Sequence, residues 1–329
     1  MSEYHTPVLL NESISALVLN PSGIYADVTF GGGGHTAGIL SRLNEDGHVI
    51  AFDRDADAIQ NKIDDSRLTL VRADFRFIRN FVLFEGRKIQ EGRKVQEGSE
   101  LHGEAGGSRN ETADILLDGI LADLGVSSHQ FDTADRGFSF RFDSPLDMRM
   151  NQEGGMTAAD VVNGYSQEDL ERIFRLYGEV DNARRIAQLI VSARTKGQIV
   201  TTGELDKAIE AALPKYAEHK FLAKVYQALR IEVNHEMHSL AKFLEGAADS
   251  LRPGGRLVVI TYHSLEDRMV KNFIKTGNIE GKEEKDMYGV VHSPFRAVNR
   301  KPELPGEEEI SSNTRARSAK LRVAERTDE

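Results

Sequence analysis

Four aspartates stand where strands of an open sheet would end, and four consecutive glycines follow the first of them. Ile24-Tyr25-Ala26-Asp27-Val28-Thr29-Phe30 leads into Gly31-Gly32-Gly33-Gly34 and His35, with Ala37, Ile39 and Leu40 continuing at helical spacing. That pattern predicts a strand, a tight turn and the start of a helix. Glycines there admit left-handed backbone angles and let a ligand reach main-chain N–H groups at the positive end of the helix. A glycine loop alone is weak evidence, since such turns also serve as plain connections. The acids sharpen it. Asp53 follows the run His48 to Phe52, roughly 20 residues beyond the loop, where a nucleoside-binding fold places the carboxylate that accepts from ribose hydroxyls. Asp74-Phe75 follows a third run at 68–72, and Asp123 a fourth at 119–122. In an open parallel sheet all these ends face one crevice, and the chemistry they suit is capture of a nucleotide-like cofactor.

The elements that must position these groups need a full core. With 329 residues and 40% hydrophobic content the chain can bury one. No apolar run reaches membrane-spanning length, and Met1-Ser2-Glu3-Tyr4-His5-Thr6-Pro7 lacks the basic-then-apolar order of a signal peptide. The absence of cysteine excludes disulfides and thiolate metal sites and fits a reducing, cytoplasmic setting. A formal net charge of −10 argues against nonspecific coating of nucleic acid, which needs many phosphate contacts, but leaves room for local basic patches.

In chain order, residues 6–10 read as an extended arm leading into a helix at 12–19, and residues 75–84 as a helix after the third strand. Residues 85–112 repeat Glu-Gly-Arg-Lys-Ile/Val-Gln and pass into a Gly/Ser-rich tail, which predicts a surface insertion that is mobile or loosely hairpinned. Its glutamates offset its cations, so a solvated loop is the better reading than a nucleic-acid contact. Beyond Asp123 the strand-helix alternation stops. Residues 124–150, rich in Gly, Ser, Asp and Phe, look like an ordered functional loop, and from Thr157 to about Leu244 the apolar spacing is helical. A helical domain is therefore expected between the fourth and fifth strands. The sheet resumes at 256–262 after the turn Arg252-Pro253-Gly254-Gly255, Ser264 is placed to cap the next helix with Asp267 in the reciprocal position, and residues 316–324 could add an edge strand. Histidines at turns are more often local hydrogen-bonding residues than catalysts. Glu232 and His235 have the spacing of half a di-iron site, but no second copy accompanies them, and His235 and His238 read as exposed helix residues.

Six segments together closely resemble the bacterial ribosomal RNA small-subunit methyltransferase H family, also called MraW. They are Thr29-Phe30-Gly31 through Gly33-Gly34-His35; Asp118-Gly119-Ile120 through Asp123-Leu124-Gly125-Val126-Ser127-Ser128; Arg136-Gly137-Phe138-Ser139-Phe140; Pro145-Leu146-Asp147-Met148-Arg149; His263-Ser264-Leu265-Glu266-Asp267-Arg268; and Arg315 through Arg322. Each alone is modest, but six in the family's order are highly specific, and the likeness extends from the Tyr4–Val8 arm to the tail. The resemblance implies an α/β fold: a Rossmann-like methyltransferase sheet with an all-helical domain inserted between the fourth and fifth strands. The domains would be residues 1–135 with 245–329, and 136–244 for substrate recognition. It implies transfer of a methyl group from S-adenosylmethionine to the exocyclic N4 of a cytidine in the decoding region of 16S ribosomal RNA, within the small ribosomal subunit. Gly33, Gly34 and His35 would meet the cofactor at the loop, Asp53 at the ribose, Phe75 beside the adenine, and Asp123 and Gln130 near the methionine end. Two departures concern loops: the lengthened connection 85–112, and Thr314 where the family commonly has proline.

Methyl transfer from a sulfonium is an in-line displacement that rewards near-attack geometry. The cytosine amino group is a poor nucleophile, so an acceptor aimed at its N–H should help, and its proton must leave. The Asp/Asn-Pro-Pro-aromatic turn that many amino-methyltransferases use is absent, and Asp123 to Ser128 occupy its place. The acceptor would be Asp123 or a carbonyl of this loop, with Arg136 to Phe140 and His263 bordering the base. Phe138 and Phe140 could stack on a flipped nucleotide or simply be buried. Arg296, Arg300, Lys301, Arg315, Arg317, Lys320 and Arg322 are candidates for phosphate contact. No metal and no membrane partner are expected, and a homodimer is admitted. Two other classes stay open: a noncatalytic ribosome-assembly factor with a vestigial pocket, which methyl incorporation would discard, and a nicotinamide-dependent oxidoreductase, which NAD would protect against heating.

Overall fold

The computed structural model describes residues 7–96 and 116–328. It runs α1 (Leu10–Leu17), β1 (Ile24–Asp27), α2 (Gly34–Leu40), β2 (His48–Asp53), α3 (Ala56–Ile59), β3 (Leu68–Arg72), α4 (Ile78–Gln96) and β4 (Leu117–Asp123). Helices then follow one another: α5 (Ser128–Asp132), α6 (Ala158–Gly164), α7 (Gln167–Leu176), α8 (Ala183–Arg194), α9 (Thr202–Ile209), α10 (Glu218–Asn234) and α11 (Glu236–Ser250). The chain closes with β5 (Leu251–Thr261), α12 (Ser264–Thr276), β6 (Phe295–Ala297), α13 (Glu307–Ser312) and β7 (Lys320–Arg326).

The seven strands form one sheet in the order β3-β2-β1-β4-β5-β7-β6. Strands β3, β2, β1, β4 and β5 run parallel to one another, whereas β7 runs antiparallel to both β5 and β6. Helices cover a parallel sheet on both faces, so its inner strands carry continuous apolar runs. Val49 to Phe52, Ile120 to Ala122 and Leu257 to Ile260 are accordingly buried. The strand order reverses between β1 and β4, the switch point where an open α/β sheet binds its ligand. This is an α/β Rossmann-like sheet with an all-helical segment inserted between the fourth and fifth strands.

The chain divides into two compact units. One contains Val126–His238, the other Thr6–Gly125 and Ser239–Glu329. The sequence reading puts the divisions at 135/136 and 244/245 instead. Nothing in the sequence marks the second division, because α11 continues through it with unbroken periodicity. Within the helical unit, α7 buries Leu170, Ile173 and Phe174, α8 buries Ile186, Ala187 and Ile190, and α10 adds Val225 and Leu229 to the same core. Each of the larger of these side chains contributes about 1.5–3 kcal/mol. At the last turn of α10, buried Asn234 donates to the carbonyls of Met148 (2.7 Å) and Arg230 (2.9 Å) and accepts from Met150 N–H (2.8 Å), tying the loop after α5 to the helices.

Several sequence expectations need correction. Residues 85–96 are helical rather than looped, because α4 carries on to Gln96, with Lys88 reaching back to Glu85 (3.1 Å) across one turn. The remainder of that insertion, 97–112, lies outside the described residues, as do residues 4–6 of the arm. The first helix begins at Leu10 rather than Glu12. Pro253-Gly254-Gly255 does not end a helix: α11 ends before β5, and these residues form an irregularity inside β5, with Gly254 at φ 77°. The cap of α12 is His263, not Ser264. Its side chain accepts from Glu266 N–H (3.4 Å) and Glu266 accepts in return from His263 N–H (3.4 Å), while Asp267 holds Arg322 (2.7 Å) and Lys320 (3.3 Å).

Candidate functional site

At the switch point the register places Asp27 level with Ala51 of β2 and Leu121 of β4. Asp53 and Asp123 are each two residues further along, so the pleat brings both to the same side and the same rim. The glycine turn is built on these acids. Asp27, wholly buried, accepts from Thr29 N–H (3.1 Å) and from the Thr36 hydroxyl (2.7 Å), fastening the exit of β1 to the first turn of α2. Thr29 in turn accepts from Asp123 N–H (2.7 Å). Asp53 accepts from Gly31 N–H (2.8 Å) and Asp55 N–H (2.9 Å), so it organises the loop as well as lining it.

Gly33 has φ 78°, a conformation that favours glycine. Gly34 is required for a different reason. A Cβ there would lie 2.2 Å from Cγ of Pro7, because the N-terminal arm lies across the loop. The arm is fixed by two further bonds. His35 Nε2 donates to the Val8 carbonyl (3.1 Å), and Leu9, at a left-handed φ of 51°, donates its N–H to Glu309 of α13 (2.8 Å). Gly34→Ala should push Pro7 off the loop at a cost of about 1–3 kcal/mol, seen as a lower unfolding temperature together with weaker cofactor binding; an unchanged arm and affinity would show the close approach to be dispensable.

A carbonyl only accepts, so Nε2 of His35 donates to Val8, and Nδ1 is turned towards Asp123 Oδ2, 3.7 Å away. The other oxygen of Asp123 accepts from the Tyr262 hydroxyl (2.8 Å). Burial drives all three acids upward: Asp53 and Asp123 to about 6, and Asp27 above the usual carboxylate range. For Asp27 and Asp123 the largest opposing effect is the nearby His35; for Asp53 it is the backbone N–H of Asp55. Raised carboxylates hold their protons longer in the folded chain than in the unfolded one. This contribution to stability is therefore full in acid and lost as pH rises through about 6. Above about pH 6 Asp53 and Asp123 carry negative charge at the rim, which suits a cationic ligand.

The other expected cofactor residues are placed as follows. Phe75 opens a short 3-10 turn capped by Asp74, half-buried and edge-on to Phe243 at 5.4 Å. Gln130 belongs to the helical unit, where it is buried and forms a capping box with Ser127 at the start of α5. His263 is engaged by the start of α12, with Nε2 3.1 Å from Glu266. Sequence reasoning missed Tyr262 and Glu309, whose roles arise only when distant strands and helices meet.

Of the residues expected to border the base, Arg136 to Phe140 lie in the helical unit and pack into it, whereas His263 belongs to the other unit. Arg136, 3% exposed, donates to the carbonyls of Arg149 and Met150 (both 3.1 Å). Phe138 is buried, and Phe140 packs against Tyr226 (5.4 Å) and His219 (5.8 Å), so stacking on a nucleotide would require local opening. Glu232 is taken by the Tyr165 hydroxyl (2.8 Å), and His235 is an exposed left-handed cap ending α10, which leaves the di-iron spacing unsupported. Of the basic set, Arg296 pairs with Glu325, and Lys320 and Arg322 pair with Asp267; Arg300, Lys301 and Arg317 are exposed. No helix among the described residues is long and apolar enough to cross a membrane.

The sheet order, the switch-point crevice and the glycine turn framed by strand-end acids define the Rossmann-like methyltransferase class. Within it, the MraW methylase family matches residues 2–327, and the chain belongs to that family. Its relatives include the ribosomal RNA small subunit methyltransferases H of Phocaeicola vulgatus (54% identical over 98% of this chain and 97% of the relative), Bacteroides fragilis (52%, with the same coverage) and Flavobacterium johnsoniae (49% over 98% of each).

Proposed function

We propose that this chain transfers a methyl group from S-adenosylmethionine to the exocyclic N4 of a cytidine in the decoding region of 16S ribosomal RNA, presented in the small ribosomal subunit. The names of its relatives support the ribosomal substrate. The observation that carries the reading is the rim itself, where the carboxylates of Asp27 and Asp53 and the end of β4 at Asp123 converge on one glycine turn. The cofactor, when bound, supplies an electrophilic methyl on a positively charged sulfur. Gly33, Gly34 and His35 would meet it at the loop, with Asp53 at its ribose, Phe75 beside its adenine and Asp123 near its methionine end. Loss of that methyl would leave a neutral thioether, and the methylated N4 would carry a proton that must be taken up. Asp123 accepts the N4 proton, and orienting that N–H before attack localises the nitrogen lone pair. His263 acts through the start of α12, and the helical unit recognises the RNA, with the loop Arg136 to Phe140 shaped by its core.

The test is mass spectrometry of 16S RNA after reaction of the pure protein with small subunits and S-adenosylmethionine. A single N4-methylcytidine in the decoding region is expected. Unmethylated RNA under conditions where the protein binds subunits would favour an assembly factor instead, and methylation at another atom or site would overturn the stated specificity.

A further inference from the structure

We propose that Tyr262 is a positioning residue: its hydroxyl takes one oxygen of Asp123 and so fixes which oxygen faces His35 and the reacting amine. This rests on the cofactor reading above. Three observations converge on it. The hydroxyl donates to Asp123 Oδ1 at 2.8 Å while Oδ2 is the oxygen nearest His35, at 3.7 Å, so the two carboxylate oxygens have different partners. The ring is seated against the chain that follows β4: a Cβ on Gly125, which has φ 112°, would stand 3.1 Å from Cδ2 of Tyr262. The backbone is held too, since Tyr262 N–H donates to buried Glu266 at 2.9 Å. Side chain and main chain are thus fixed independently, and the phenol has little freedom to leave Asp123.

The groups that face this pair are His35 on α2, Asp27 on β1 and Glu266 on α12 around Asp123, with Glu266 and Glu309 on α13 around Tyr262. Burial and the neighbouring Asp123 charge keep the Tyr262 proton well beyond the ordinary phenol range. Tyr262 is therefore a donor at every working pH. A donor to the ionised carboxylate favours that form, so removing it must move the Asp123 titration upward.

Tyr262→Phe retains the ring and deletes only the hydrogen bond. Carbon-detected NMR titration of Asp123 in the ligand-free protein should show its midpoint rise by about one unit from near 6. S-adenosylmethionine affinity, measured by calorimetry, should fall about fivefold at pH 6 and recover by about pH 8.5, as the ionised fractions dictate. An unmoved Asp123 midpoint, or an affinity loss equal at all pH values, would overturn the role. If neither wild type nor variant binds S-adenosylmethionine, the cofactor reading fails, and the Asp123 titration still decides whether Tyr262 holds that carboxylate.

Discussion

Asp123→Asn is expected to cut methyl incorporation into small-subunit RNA by about 10²- to 10⁴-fold, the usual worth of a positioned general base. The substitution is informative because it preserves shape. The amide oxygen can still accept from Tyr262, and the amide nitrogen would face Nδ1 of His35, whose Nε2 is engaged by Val8. Only the negative charge and the ability to take a proton are lost. Single-turnover rates with saturating S-adenosylmethionine separate the chemical loss from the weaker cofactor binding that a missing carboxylate also causes. A single-turnover rate within a few-fold of wild type would assign the acceptor role elsewhere, with a carbonyl of the loop after β4 the next candidate.

The second large effect is on stability. Arg136→Met should lower the unfolding free energy by about 3 kcal/mol, because two buried carbonyls lose a charged donor that a thioether cannot replace. Denaturant unfolding followed by circular dichroism reads this directly. Should the variant unfold like wild type yet lose affinity for the small subunit, Arg136 would be a substrate contact and not part of the frame of the helical unit.

The strand-end acids are legible in the amino-acid sequence because a polar residue terminating an apolar run is a local pattern, and β3 occupies the span its sequence suggests, Leu68–Arg72. The helices between β4 and β5 show themselves through spacing in the same way. What the sequence hides depends on distant partners or on weak local signals. Three-residue β6, with Arg296 and Ala297 exposed, is too short to show alternation. Gly86 and Gly92 suggest a break in α4, but each costs only about 1 kcal/mol, and the helix continues. Phe138 and Phe140 have the composition of a stacking platform, and only the tertiary packing shows that they serve the core. Tyr262 and Glu309 carry no motif of their own; one finds Asp123, the other finds Leu9.

The bond from Leu9 to Glu309 joins residues 300 positions apart. During synthesis the arm and the glycine turn emerge long before the clamp that helps to seat one over the other. β7, which completes the far side of β5, comes later still. A nascent chain therefore cannot complete the seating of the arm over the glycine turn until residue 309 has been made, and a chain cut short before it keeps the Val8–His35 bond but lacks the acceptor for Leu9.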